Sequence, residues 1–221
     1  HAFWYFDKEM ADATEKYYAN ERGKTEQYIG FEQKGKLITF NPKSHVRMSP
    51  SFQPEADGVT FHLKAVYTDT LRNEYSKEHS THPIRMSRIC GPVEVVNDTT
   101  FTVRFYRMGL DNPKRTGGIC LMASVKQDHK YRSAVQQVEI RIPYRNKEGI
   151  PQRIIFPKLS DVKASVKEIS LNGTADSGLP VYYYVKEGPA EIKGDKPVLT
   201  KIPPRAKFPV KVTVVAWQYG R

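Results

Sequence analysis

Cys90-Gly91-Pro92-Val93-Glu94-Val95 and Glu187-Gly188-Pro189-Ala190-Glu191-Ile192 are two versions of one pattern, a Gly-Pro step followed by a short run. Four blocks recur in one order, which indicates an internal repeat of one structural unit. The spacing between matching residues shrinks along the chain, so the first copy carries extra residues. Most lie between Asp69 and Arg88, where we expect a long loop or hairpin. The other three matched blocks are residues 37–43 with 153–158, residues 56–63 with 175–182, and residues 121–123 with 214–216.

Apolar residues alternate with other residues through both copies, and a period of two places one face of a strand in the core. Turn-forming pairs such as Asn97-Asp98 and Gly194-Asp195 separate the runs. Many short strands at this spacing predict an all-β chain of sandwiches or barrels. The residues expected to face the core are Val59, Phe61, Leu63, Ala65 and Tyr67, then Phe101, Val103 and Phe105, then Val138, Ile140 and Ile142, and last Val212, Val214 and Ala216.

The first residues follow a helical pattern instead. Asp7 is a plausible N-cap, and Gly23 is a stop signal. We expect a helix near 8–21 that buries Met10, Tyr17 and Tyr18. Such a short helix is marginal in water on its own. It must therefore pack on the part that follows or on one that precedes His1.

These features divide the chain into three parts. Residues 1–23 are a helical segment, interpreted as the tail of an upstream domain. Residues 24–145 are a β-domain with a long insert, and residues 146–221 are a second β-domain. The segment joining the two is short and ends at Pro151, so close coupling is expected. The second copy has no counterpart of the run at 131–143, so we expect its last strand to be missing.

The chain has 221 residues and a net charge of +11. It contains no apolar run long enough to cross a bilayer, which predicts no membrane span. Acidic residues interrupt the basic ones almost everywhere, as in Lys186-Glu187, whereas nucleic-acid binders usually cluster them. We therefore expect no nucleic-acid partner and a surface of mixed sign. Attraction to an anionic polysaccharide or another acidic partner is the alternative.

The second copy carries Ile154-Ile155-Phe156, then Ser177-Gly178-Leu179-Pro180-Val181, the Gly-Pro step and a closing run at 211–216. This order resembles bacterial Ig-like repeats, and residues 35–143 match more faintly. The pattern also looks like the C-terminal part of large secreted Bacteroidetes polysaccharide-degrading enzymes. The resemblance implies two tandem Ig-like β-sandwich domains, secreted, periplasmic or at the cell surface. It also implies an accessory role beside an upstream catalytic domain of the same polypeptide.

No catalytic, cofactor or metal site is predicted. Glu94 and Glu191 fall at matching positions, but nothing in the sequence places a second acid opposite either one, as glycosidases require. The chain lacks a Gly-rich phosphate loop and the His-Glu-x-x-His pattern of zinc peptidases. His79-x-x-His82 is the one close histidine pair, and it supplies too few ligands for a metal.

Three aromatic residues are candidates for glycan binding: Tyr183, Trp217 and Tyr219. Tyr182, Tyr183 and Tyr184 are consecutive, so at least one ring must point outward. Flat rings on a sheet suit stacking on sugars, as they suit interfaces in general. The alternative is that these rings line the core or seal the contact between the two domains.

Cys90 and Cys120 are the two cysteines. The second copy has Glu187 and approximately Thr213 at the matching positions, so the unit does not require a bridge there. We expect buried free thiols, because cysteine is among the most buried residue types. A disulfide is the alternative that an exported protein would allow.

These observations support three hypotheses. The leading one is a non-catalytic spacer or support that is stiff and elongated. A compact shape with a cleft between the domains would be evidence against it. The second is a carbohydrate-binding module for acidic glycans. The third is a hydrolase, which needs an acidic pair that the sequence does not reveal.

Overall fold

The computed structural model describes residues 8–40, 48–69, 72–105, 116–143, 149–166 and 168–219. These residues form mostly strands in antiparallel sheets with one short helix, so the all-β prediction is confirmed. The elements are α1 (Lys8–Glu21), β1 (Tyr28–Gln33), β2 (Lys36–Ile38), β3 (Thr60–His62), β4 (Lys64–Asp69), β5 (Glu74–Tyr75), β6 (Arg85–Cys90), β7 (Val93–Val95), β8 (Thr100–Val103), β9 (Thr116–Val125), β10 (Ala134–Pro143), β11 (Ile154–Ile155), β12 (Thr174–Ala175), β13 (Tyr182–Glu187), β14 (Ala190–Lys193), β15 (Lys196–Leu199) and β16 (Thr213–Trp217).

Within the described residues the strands form six small sheets. Residues up to 143 contribute sheets of order β2-β1-β4-β5, β10-β9-β6 and β3-β8-β7. The later residues contribute the pairs β11-β12, β13-β16 and β14-β15. The expected hairpin in the insert is present, because β5 folds back on the end of β4 and places Tyr75 opposite Thr68.

The first β-segment has a dense core that follows the predicted alternation. The inward residues of β8, β9 and β10 are almost fully buried, which confirms the predicted core positions at 101–105 and 138–142. β9 and β10 have ten residues each, and residues 119, 121 and 123 of β9 have no exposed surface. Phe31 of β1 and Phe61 of β3 complete the interior.

The predicted alternation fails at Leu63. Val59, Phe61 and Leu63 are buried as expected, but after Leu63 the most buried positions are Val66 and Thr68. The chain changes sheets here, because β3 pairs with β8 and β4 pairs with β1. A strand that moves from one sheet to another changes which of its faces meets the core. Ala65 and Tyr67 are consequently only partly buried.

The Gly-Pro pattern builds the same four-stranded arrangement twice, as β6–β9 and as β13–β16. In each, the first strand pairs with the fourth and the second with the third. Met86 lies opposite Ala123 in the first copy. Tyr183 lies opposite Ala216, at the matching positions, in the second. Both first strands shift register just before the Gly-Pro step, so the two copies share their pairing and their bulge.

The glycine of each Gly-Pro step is required by its surroundings. Gly91 and Gly188 have φ values of 96° and 100°, where residues with a Cβ are rare. A Cβ on Gly188 would lie 2.6 Å from the carbonyl oxygen of Lys211, and one on Gly91 would collide with the carbonyl oxygen of Gly118. The turn therefore packs directly on the backbone of the fourth strand in one copy and just before it in the other.

The two earlier sequence blocks do not occupy matching places. Residues 37–38 lie in β2, which pairs with β1, whereas β11 pairs with β12. Phe61 belongs to β3, which pairs with β8, whereas its sequence counterpart lies next to β13, which pairs with β16. The repeat in the structure is thus limited to the Gly-Pro block and the strands on either side of it.

The second β-segment buries different residues from those predicted on its last strand. Val215 packs against the core and Trp217 is buried, whereas Val212, Val214 and Ala216 are half-buried. Among the described residues β16 pairs with β13 alone, whereas β9 pairs with both β6 and β10. The second copy therefore lacks a counterpart of β10 within the described part of the chain.

The interiors of the two segments are continuous. The rings of Phe105 and Trp217 lie 4.5 Å apart, and those of Phe52 and Tyr219 lie 5.5 Å apart. Arg104 donates a hydrogen bond of 2.7 Å from Nη2 to the carbonyl oxygen of Gly194. The segment boundaries stay predictions, and buried rings of the second segment belong to the same core cluster as those of the first.

Helix α1 has the predicted bounds but not the predicted packing. The side chains of Tyr17 and Tyr18 are 53% and 62% exposed, so the expectation that they are buried is wrong. The side chain of Met10 lies outside the described residues. The helix is held at its C-terminal end, where Tyr17 Oη donates to Ser133 Oγ at 2.7 Å and the Glu21 carboxylate accepts a bond from the Ser133 amide at 3.2 Å.

Candidate functional site

A groove of about 560 Å³ lies where the two copies of the Gly-Pro unit meet. Its volume is within the range of small-molecule sites, which is about 300–1,000 Å³. The first copy contributes β7 and the two residues that follow β8, and the second contributes β13 and β14. The lining residues are Arg88, Val93, Glu94, Val95, Arg104, Phe105, Tyr183, Tyr184, Val185, Ala190, Glu191, Ile192 and Thr200.

The groove brings together the two glutamates at matching positions of the repeat. Glu94 and Glu191 both line it, because β7 and β14 are equivalent strands that border the same space. The sequence did not place a second acid opposite either glutamate, whereas the structure puts both in the lining of one groove. The sequence signal for this pair is that Glu94 and Glu191 occupy matching positions of the repeat. That signal becomes informative only once both copies are known to line one groove.

Each glutamate is paired with a cation. Glu94 Oε2 lies 3.5 Å from Arg104 Nη1, and Glu191 Oε1 lies 3.1 Å from Lys193 Nζ. Their side chains are 60% and 51% exposed. A glycosidase acid is kept protonated by an apolar or like-charged environment. Glu94 and Glu191 are instead largely exposed to solvent, and each lies beside a basic side chain.

Arg104 connects the groove to the contact between the segments. It is half-buried between Val103 and Phe105, which are both in the core. Its guanidinium contacts Glu94 on the first segment and the Gly194 carbonyl on the second. Sequence reasoning missed this residue, because one arginine in an alternating strand gives no signal about the segment that it faces.

Tyr183 is the one predicted glycan-binding residue that lines this groove. It is half-buried, and its hydroxyl donates to the carbonyl oxygen of Leu171 at 3.2 Å and accepts from the amide of Gly173 at 2.7 Å. Its ring lies 5.5 Å from that of Phe156. These contacts hold the side chain of Tyr183 against residues 156, 171 and 173, while Tyr183 is also among the residues that line the groove.

Trp217 and Tyr219 are not exposed rings. They are 6% and 8% exposed, so neither offers the exposed face on which stacking against a sugar depends. Trp217 packs between Phe105 at 4.5 Å and Tyr182 at 5.2 Å. Burial raises the pKa of the Tyr219 hydroxyl to about 12. Both rings seal the contact between the segments, which is the alternative that the sequence left open. A role of Trp217 and Tyr219 in glycan binding stays a prediction, although neither ring has the exposed surface that this role requires.

The histidines of the insert have structural contacts. The ring of His79 stacks on that of Tyr67 at 4.1 Å, and the Tyr67 hydroxyl donates to the carbonyl oxygen of His82 at 2.7 Å. No group of three His, Cys, Asp or Glu side chains in the described ranges is arranged to hold a metal ion. The described helix is also too short and too polar to cross a membrane.

Cys90 and Cys120 are thiols in the structure. Cys90 is exposed and Cys120 is half-buried, so the expectation of buried thiols is wrong for Cys90. Cys90 ends a strand beside the Gly-Pro turn, which leaves its side chain in contact with solvent.

Comparisons of the chain with protein-family models, curated proteins and solved structures find no match.

Proposed function

We propose that the chain is a non-catalytic accessory module of a secreted bacterial carbohydrate-active enzyme. Its two β-segments act as Ig-like sandwich repeats that form one stiff support for an upstream catalytic domain of the same polypeptide. The observation that carries this proposal is the continuous interior, in which Trp217 and Tyr219 pack on Phe105 and Phe52. Two units joined by buried rings keep a fixed relative orientation, which is what a support requires.

The groove does not argue against a support. A cleft between the segments, which would argue against a spacer, is present, but its lining includes Phe105 and Tyr184 from the shared interior. The groove is thus a consequence of the packing between the segments. Its two carboxylates are solvated and paired with cations, so they favour a non-catalytic role.

The test combines shape with turnover. Small-angle scattering of the intact chain is expected to fit one fixed conformation, and model glycosides are expected to remain uncleaved. Scattering that requires several orientations of the segments would contradict the support. Cleavage that disappears in both Glu94→Gln and Glu191→Gln would instead identify a hydrolase and overturn the proposal.

A second candidate function is glycan binding in the groove, favoured by a lining that includes Tyr183 together with Arg88 and Arg104. The expected ligand is an acidic polysaccharide that stacks on the ring and pairs with the arginines. Affinity gels with a pectic and a sulfated polysaccharide would measure retardation at low and raised salt.

Variants separate the ring from its hydroxyl. Tyr183→Ala is expected to abolish retardation, whereas Tyr183→Phe keeps the ring and should retain most of it. Tyr18→Ala removes an exposed ring on α1 and is the matched control. Equal retardation of all variants would place any binding outside the groove.

A further inference from the structure

The two cysteines lie directly opposite each other on neighbouring antiparallel strands. Cys90 of β6 is paired with Cys120 of β9. Residues opposed in this way have Cα atoms about 4.5–5.5 Å apart, whichever type of pair they form. Disulfides are found at Cα separations of about 4.4–6.8 Å. The backbone therefore already holds the two residues at a distance that a disulfide can span.

The second copy shows where side chains at this position point. Glu187 and Thr213 are paired at the same place, after the same bulge and beside the same Gly-Pro turn. Thr213 Oγ1 donates a hydrogen bond of 2.7 Å to Glu187 Oε1. Side chains at this position therefore lie on the same side of the sheet and meet. Since the pairing of the first copy is the same, the side chains of Cys90 and Cys120 share this arrangement.

We propose that Cys90 and Cys120 form an intramolecular disulfide across β6 and β9 when a disulfide oxidant such as oxidised glutathione is present. This proposal rests on the repeat geometry and not on the proposed function.

Because Cys90 is exposed, it reacts first. Its thiolate attacks one sulfur of oxidised glutathione, which leaves as one glutathione thiolate and forms a mixed disulfide. The Cys120 thiolate then attacks the Cys90 sulfur, and the second glutathione leaves. The protein loses two protons and two electrons, and the oxidant becomes two molecules of glutathione.

The bridge would fasten a specific part of the fold. It would close the bulged end of β6 onto β9, next to Arg88 at the wall of the groove. The Gly91 turn already packs there on the backbone of Gly118 and Ile119. Bridge formation would therefore rigidify one wall of the groove without a large backbone movement.

The experiment uses the intact chain incubated with oxidised glutathione, followed by intact mass and peptide mapping. The expected product has lost two hydrogen atoms and yields one peptide pair joined through Cys90 and Cys120. Its Tm should exceed that of the reduced chain by about 5–15 °C, since a typical disulfide stabilises a protein of this size by that amount. Cys90→Ser and Cys120→Ser should each block the bridge.

A second variant tests the geometry independently. Glu187→Cys with Thr213→Cys, in a chain whose native cysteines are replaced by serine, should form the same bridge in the second copy. The proposal is overturned if the native chain gains two glutathiones without a bridge, forms only disulfide-linked dimers, or remains unchanged. Failure of the second-copy pair alone would overturn the argument from the repeat.

Discussion

The strands β6–β9 and β13–β16 share their pairing and their bulge, but their surroundings differ. The first set is flanked by β10 on one sheet and β3 on the other. Its residues Ile119 and Leu121 have no exposed surface. In the second set the described sheets are only pairs, and the buried Trp217 packs on Phe105 of the first set. The two sets of strands have the same pairing, but the first packs within a core of its own segment, whereas the second needs the first segment to bury part of its core.

This difference shows what a local pattern does and does not specify. The Gly-Pro step fixes a turn that packs on the backbone of the fourth strand in the first copy and on the residues just before that strand in the second. It does not supply a core, because a core requires a second layer on each sheet. The first segment has that layer in its own sequence, whereas the second obtains part of it by contact with the first.

The largest expected effect is on the second segment. Trp217→Ala removes the ring that packs on Phe105, and loss of a large buried aromatic costs about 3–5 kcal/mol. Hydrogen exchange should accelerate throughout β13–β16 and remain slow in β9 and β10. Leu121→Ala in the first segment costs about 2–5 kcal/mol and should accelerate exchange in both segments, because the second packs on the first.

A conservative variant sharpens this comparison. The indole Nε1 of Trp217 has no hydrogen-bond partner among the described residues. Trp217→Phe keeps a ring against Phe105 and removes that buried donor, so it should cost clearly less than Trp217→Ala. Uniform acceleration of exchange in both segments by Trp217→Ala would break the comparison.

The Gly-Pro turns should respond alike in the two copies. Gly91→Ala and Gly188→Ala each place a Cβ against backbone atoms at a φ near 100°. Such strained positions cost about 1–3 kcal/mol each. Gly178→Ala is the matched control, since its φ is 69° but no atom lies within 4 Å of the added Cβ. Urea midpoints that drop as far for Gly178→Ala as for Gly188→Ala would remove the argument for close packing.

The sequence predicted the elements better than it predicted their neighbours. The period of two located β8 and β10, and the helical pattern with its stop at Gly23 located α1, because these depend on local geometry; the predicted N-cap Asp7 lies outside the described residues. It could not show that the chain changes sheets at Leu63, since both sides of that point alternate normally. The sequence also could not tell whether Trp217 is exposed. Alternation shows which face of a strand a residue lies on, but it does not show what packs on that face.

The smallest expected effect concerns pH and the first segment. Hydrogen bonds from the Ser80 hydroxyl and the Tyr131 and Lys130 amides lower the pKa of Asp128 to about 2. A carboxyl with a lowered pKa stabilises the fold above its unfolded pKa, about 3.9, and this contribution is lost as the pH falls through the folded value. Asp128→Asn should therefore show a smaller loss of stability than the native chain between pH 5 and 2. Identical pH profiles from urea unfolding would contradict this assignment.

The central claim is that the second segment completes its interior on the first. It is tested most directly by thermal unfolding of residues 146–221 produced alone, followed by circular dichroism and compared with residues 24–145 and the intact chain. The account predicts a cooperative transition for residues 24–145 and none for residues 146–221. A cooperative transition of residues 146–221 alone, at the temperature at which they unfold in the intact chain, would show that this segment has a self-sufficient core and would contradict the account.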